Sequence, residues 1–115
     1  NAMIAPPYTY RAEVRRIVDG DTLVLDIDLG LSIWAKNQVM RLLNVHAPEM
    51  VGSDKLAGMQ AKTALADKLP VGIPVVITTH KDKNDKYGRL LVEIYTLDGT
   101  DVNDWMRKNA PIGGK

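Results

Sequence analysis

Residues 18–29 read Val18-Asp19-Gly20-Asp21-Thr22-Leu23-Val24-Leu25-Asp26-Ile27-Asp28-Leu29. Asp19-Gly20 is the strongest short hairpin signal available, because a tight type I′ turn needs residues that accept positive φ. Residues 8–18 favour strand and form the expected first arm. The return arm, 21–29, alternates with the two-residue period of a strand. Asp21, Leu23, Leu25, Ile27 and Leu29 share the face expected to line a core; Thr22, Val24, Asp26 and Asp28 take the other. A carboxylate thereby heads an apolar row at a strand end, where it can look into a barrel mouth. The turn needs Asp19-Gly20, but it does not need Asp21.

Further along, residues 30–38 read as a connection and 39–45 as a third strand. Pro48 stops that strand, because proline cannot donate to a ladder. Ser53 or Asp54 is placed to cap a helix running to about Lys68, with Leu56, Met59, Gln60, Thr63 and Ala64 at near-helical spacing. Leu69-Pro70-Val71-Gly72 ends it. Residues 75–79 are expected as a fourth strand, 80–88 as a polar turn, 89–95 as a fifth strand and 102–108 as a second helix. Five strands with a helix between the third and fourth is the order of an OB-fold barrel, a mainly β class with two short-to-medium helices. The expected domain is 8–112. Asn1-Ala2 ahead of Met3 reads as a tag remnant, 3–7 as a lead-in and 113–115 as a tail.

The 115 residues are 45% apolar and 25% charged, which excludes disorder, collagen and coiled coil. Without cysteine there are no disulfides, thiol nucleophiles or thiolate metal sites. With only His46 and His80, any metal must lean on oxygen ligands. Fifteen basic against 14 acidic residues give a net charge of +1, so no global basic face marks a nucleic-acid binder. An enzyme that handles one phosphate at a time remains allowed. No stretch approaches the ~18 apolar residues of a membrane span. The compartment is cytoplasmic if the native chain starts at Met3, and secreted or periplasmic if a leader has been removed.

Three clusters carry possible chemistry. Asp21 belongs to the first, beside a turn that explains its neighbours. The second is Arg41-Leu42-Leu43-Asn44-Val45-His46-Ala47-Pro48-Glu49. An arginine in an apolar strand costs free energy unless it meets an anion, either a carboxylate or a ligand. An Arg41–Glu49 ion pair across the turn is the plain alternative to a ligand. The third is 80–89, a basic stretch whose ordinary reading is a solvated loop. Arg89 is its exception, entering an apolar strand after Gly88. Two arginines can clamp a phosphate and stabilise the charge of an in-line displacement. One carboxylate can hold a divalent metal, and another can take a proton from water. Those are the parts of phosphodiester hydrolysis.

Val-Asp-Gly-Asp-Thr at 18–22, Arg-Leu-Leu-Asn-Val-His-Ala-Pro-Glu at 41–49 and Asp-Lys-Tyr-Gly-Arg-Leu-Leu at 85–91 resemble the motifs of the thermonuclease (staphylococcal nuclease-like) family, in order. Looser matches are Gly58-Met59-Gln60-Ala61 and Asp98-Gly99-Thr100-Asp101-Val102-Asn103. The resemblance implies an OB-fold nuclease that cuts DNA and/or RNA with calcium, and a monomer is expected. It implies Asp21 as a metal ligand, Arg41 and Arg89 on the scissile phosphate, and Glu49 orienting or deprotonating the attacking water. Lys86 and Tyr87 stand where the family's substrate-contacting pair lies.

The chain departs from the family pattern at His46-Ala47, where a metal-binding Asp and a Thr are usual. The Thr contributes its backbone carbonyl, which Ala47 also offers. His46 removes a charge and an oxygen ligand, and imidazole suits manganese or a softer metal better than calcium. The end at 111–115 lacks the aromatic-bearing segment and further helix of secreted members, implying less cover for the base. The alternative function is a weakened or inactive OB-fold module that binds single-stranded nucleic acid or a protein. Against that, aromatics are 5% of the chain and Phe is absent, leaving little stacking platform.

Overall fold

The computed structural model describes residues 8–48, 52–81 and 90–109. Five strands close into a barrel in the order β1-β2-β3-β5-β4. They are β1 (Thr9–Asp19), β2 (Thr22–Asp28), β3 (Trp34–Leu42), β4 (Pro74–Lys81) and β5 (Leu90–Thr96). Between β3 and β4 lie a short 3-10 turn, Gly52–Asp54, and helix α1 (Lys55–Lys68); α2 (Val102–Asn109) follows β5. All neighbours pair antiparallel except β3 and β5, which run parallel over Met40–Leu42 and Leu90–Val92. The expected OB-fold architecture is therefore present.

The core is filled by Leu23, Leu25, Met40, Leu42, Ile77, Val92 and Ile94 from the strands. Leu65 and Leu69 from the α1 end and Val102 and Met106 from α2 close it. At about 25 cal/mol per Å² of apolar surface, such side chains supply most of the driving force for folding.

Four expectations need correction. Alternation in β2 fails, because every residue from Thr22 to Ile27 is buried, while Leu29, assigned to the core, is exposed. Asp26 is buried because partners surround it: Asn37 N donates to Oδ1 at 2.8 Å, and Arg15 Nε and Lys36 Nζ lie 3.5 and 3.6 Å from Oδ2. These partners come from irregularities in the neighbouring strands, at Arg15 in β1 and at Lys36 and Asn37 in β3. The third strand spans Trp34–Leu42, not 39–45; its first half is polar and largely exposed, so no apolar pattern announces it. Gly30-Leu31-Ser32-Ile33 makes the β2–β3 turn, with Leu31 and Ser32 at φ 55 and 62 and Ile33 N donating to Gly30 O. Finally, α1 buries Gly58, Ala61 and Leu65, leaving Leu56 and Met59 exposed. Small residues face inward there because a hairpin backbone comes close.

Candidate functional site

The site begins at the β1–β2 turn. Asp19 pairs with Thr22, so Gly20 and Asp21 are the two turn residues, one position later than expected. Neither has positive φ. Gly20 is needed for space instead: a Cβ there would lie 2.6 Å from Ala61 Cβ and 2.7 Å from Ala47 Cβ. The turn is thus wedged between α1 and the chain leaving β3.

Asp21 is tied to β3 through its backbone, where Leu42 N donates to Asp21 O at 2.8 Å. Its side chain accepts two hydrogen bonds. Thr22 Oγ1 donates to Oδ1 at 3.0 Å, and Ala47 N donates to Oδ2 at 3.1 Å. Asp21 N donates in turn to Asp19 Oδ1 at 3.0 Å. Burial, then the hydrogen bonding and negative charge of Asp19, push the Asp21 carboxyl up to about 6, against the opposing pull of Ala47 N–H and the Thr22 hydroxyl.

Arg41 stands opposite Thr22 in the β2–β3 ladder. Its Nη2 lies 3.9 Å from Asp21 Oδ2 and 3.5 Å from His46 Nδ1. An unprotonated Nδ1 accepts from that guanidinium. His46 reaches this place because the chain turns at Leu43-Asn44, with Asn44 at φ 59 and Val45 fully buried as an anchor. Helix α2 braces the turn: Asn103 Nδ2 donates to Leu43 O at 3.0 Å, and Arg107 Nη1 to Leu43 O and Asn44 O at 3.3 and 3.4 Å.

Of the residues singled out in the sequence, Asp21, Arg41, His46 and Ala47 are brought together. Glu49, Lys86, Tyr87 and Arg89 lie outside the described residues. Among the described residues no group of three or more His, Cys, Asp or Glu side chains is set to hold a metal. No described helix is long and apolar enough to cross a membrane. The sequence reading missed Thr22, Asp19 and Ala61 as parts of the site. The Asp19-Gly20 signal speaks only of a turn, and the meeting of that turn with α1 reveals a second role for Gly20. His80 belongs to a separate cluster, with Nε2 3.3 Å from Glu93 Oε1 on the β4–β5 sheet.

The staphylococcal nuclease homologue family matches residues 39–110. Endonuclease YhcR of Bacillus subtilis (strain 168) is 32% identical over 117 aligned positions, covering 92% of this chain and 9% of its own length. An uncharacterized endonuclease of Escherichia coli O157:H7 is 34% identical over 94 positions, covering 81% of this chain and 53% of its own. The chain thus spans about half of one relative and a small part of the other. The matched region holds the last part of β3 and all of α1, β4, β5 and α2, and it contains Arg41, His46, Glu49 and Arg89. Its match, with the closed barrel that carries Asp21 to Arg41, places the chain in the staphylococcal nuclease homologue family.

Proposed function

We propose that this domain is a metal-dependent nuclease that hydrolyses phosphodiester bonds of DNA and/or RNA. The observation that carries the reading is the Asp21–Arg41–His46 group, a half-buried carboxylate and a guanidinium converging at one hairpin. Endonuclease names on both relatives support it. Arg41 supplies fixed positive charge where a phosphate's non-bridging oxygens gain charge in the transition state. Arg89 gives the second half of the clamp and Glu49 takes a proton from the attacking water. Lys86 and Tyr87 bind the strand beside the scissile bond.

The donors fit a hard divalent cation. Asp21 is a half-buried carboxylate beside Asp19; burial first, and the Asp19 carboxylate after it, disfavour its charge, and a bound cation would offset both. Asp21 and the Ala47 carbonyl would hold calcium or manganese, with His46 as a further ligand for the softer metal. The bound cation would supply additional charge neutralisation at the phosphate.

A second reading is a barrel that binds nucleic acid or a protein without cutting. The His46 contact with Arg41 favours it, since an imidazole stands where the family pattern has an acidic ligand. Cleavage of single-stranded DNA with calcium, manganese, magnesium or chelator separates the two. The nuclease reading expects metal-dependent cleavage, with Arg41→Ala or Arg89→Ala lowering kcat by about 10²–10³. Intact binding with no cleavage under any metal would establish the second reading.

A further inference from the structure

The β2–β3 hairpin ends in Leu29-Gly30-Leu31-Ser32-Ile33-Trp34, and its four large apolar side chains are all exposed, Leu31 at 93%. The turn is tight: Ile33 N donates to Gly30 O at 2.9 Å, and Leu29 N to Ile33 O at 2.8 Å. Leu31 and Ser32 are its central residues, at φ 55 and 62. Both positions favour Asn or Gly, and a bulky side chain there costs free energy. An apolar residue is thus held in a disfavoured backbone conformation at the apex, where the barrel's own packing makes no use of it.

The side chains behind the apex are graded. Leu29 and Ile33 flank Leu31, and Trp34, opposite Asp28 in the ladder, takes the other face of the ribbon. Cations stand behind them on both faces. Lys36 Nζ lies 5.2 Å from the Trp34 ring centroid, and Lys81 shares with Leu29 the lining of a cleft on the opposite face. Arg11 stands opposite Asp28 in β1, and Asp28 Oδ1 accepts from Gly30 N at 2.8 Å. A ribbon that is apolar on both faces is not covered by one flat protein surface, whereas a fluid acyl layer closes round it without complementary shape. Aliphatic, then aromatic, then cation is also the order of a lipid leaflet from its interior outward. Leu and Ile reach the chains, Trp sits at the interface, and Lys and Arg reach anionic headgroups.

We propose that the β2–β3 hairpin tip inserts into an anionic lipid surface, with Leu29, Leu31 and Ile33 among the acyl chains and Trp34, Lys36 and Lys81 at the headgroups. The tip and the β1–β2 turn that carries Asp21 lie at opposite ends of β2, on the order of 20 Å apart. Insertion therefore leaves the Asp21–Arg41 group clear of the membrane, and it does not depend on the nuclease reading.

The test is flotation of the protein with vesicles of phosphatidylcholine and phosphatidylglycerol, and with vesicles of phosphatidylcholine alone. Binding is expected to be stronger to the anionic vesicles and to weaken as salt rises. Bromine-labelled acyl chains should quench tryptophan fluorescence, and Trp34→Leu should remove most of that quenching while Trp105 remains. Leu31→Asn separates binding from folding. Asn suits the positive φ, so thermal stability should hold or rise, while vesicle affinity falls about 10- to 100-fold with the loss of one buried leucine. Lys81→Gln should lower affinity for the anionic vesicles about fivefold, the contribution of one cation near such a surface. Unchanged vesicle affinity in Leu31→Asn, or no binding to the anionic vesicles, overturns the proposal. A dimer in sedimentation that Leu31→Asn abolishes would assign the tip to a second copy and overturn it as well.

Discussion

Gly20 and Asp21 are adjacent residues that tertiary neighbours control in different ways. Gly20 is constrained by volume, since a Cβ would come within 2.6 Å of Ala61 Cβ and 2.7 Å of Ala47 Cβ. Gly20→Ala is therefore expected to destabilise by about 1–3 kcal/mol through overpacking, with Ala61→Gly restoring part of the loss in denaturant unfolding. Asp21 is constrained by charge. Its carboxyl rises from 3.8 to about 6 in the folded protein, chiefly by burial. The folded state then binds more protons than the unfolded state between about pH 4 and 6, so stability falls as pH rises through that window and levels off above it. The loss is on the order of 1–3 kcal/mol. Unfolding curves at pH 4, 5, 6 and 7 in chelator should show this slope, and Asp21→Asn should flatten it.

Among the elements, the two hairpins reverse their sequence signals. Asp19-Gly20 has the composition of a type I′ turn, yet the turn is Gly20-Asp21 without positive φ. Leu31-Ser32 has no such composition, yet both residues have positive φ. Local preference is worth about a kilocalorie per mole, and barrel register overrides it. Helix α2 is fixed more firmly. Asn103 is buried; its Oδ1 accepts from Ile94 N at 3.0 Å, and its Nδ2 donates to Val92 O and Leu43 O at 2.9 and 3.0 Å. One amide thus joins α2 to β5 and to the turn that carries His46. Asn103→Asp, which loses both donations and puts a charge among carbonyls, is expected to destabilise by about 3 kcal/mol or more and to weaken cleavage as well. Asn103→Ala should be less damaging. Equal stability of the two variants in thermal unfolding would contradict this account of the bond network.

For the whole molecule, a net charge of +1 sets how nucleic acid is held. With no broad basic field, affinity must come from a few local contacts. If Arg41 and Arg89 are the two phosphate contacts, log affinity for single strands should fall with log salt at a slope near −1.4. A slope steeper than about −4, measured by binding titrations at several salt concentrations, would indicate a basic track that the proposed contacts do not include. The closed barrel also makes distant residues interdependent, since Asp21 and Arg41 meet only when β2 and β3 pair in this register. A one-residue slip would move every side chain to the opposite face.

The chain's order of strands and helices was readable from its punctuation and periodicity: Asp19-Gly20, Pro48, Leu69-Pro70 and Asp98-Gly99 separate segments of the right length for an OB-fold. Arg41 was readable as well, because a charge within an apolar strand demands a partner whatever the fold. Three things required the folded chain. The first half of β3 is exposed and polar, so it carries no hydrophobic period to read. Asp26 sits on a face that alternation assigned to solvent, and only irregular pairing in β1 and β3 gives it the partners that allow burial. The second role of Gly20 depends on Ala61, 41 residues away, and on Ala47. Periodicity reports which face a residue takes on its own element; close approach between elements depends on how they pack, which no local pattern contains.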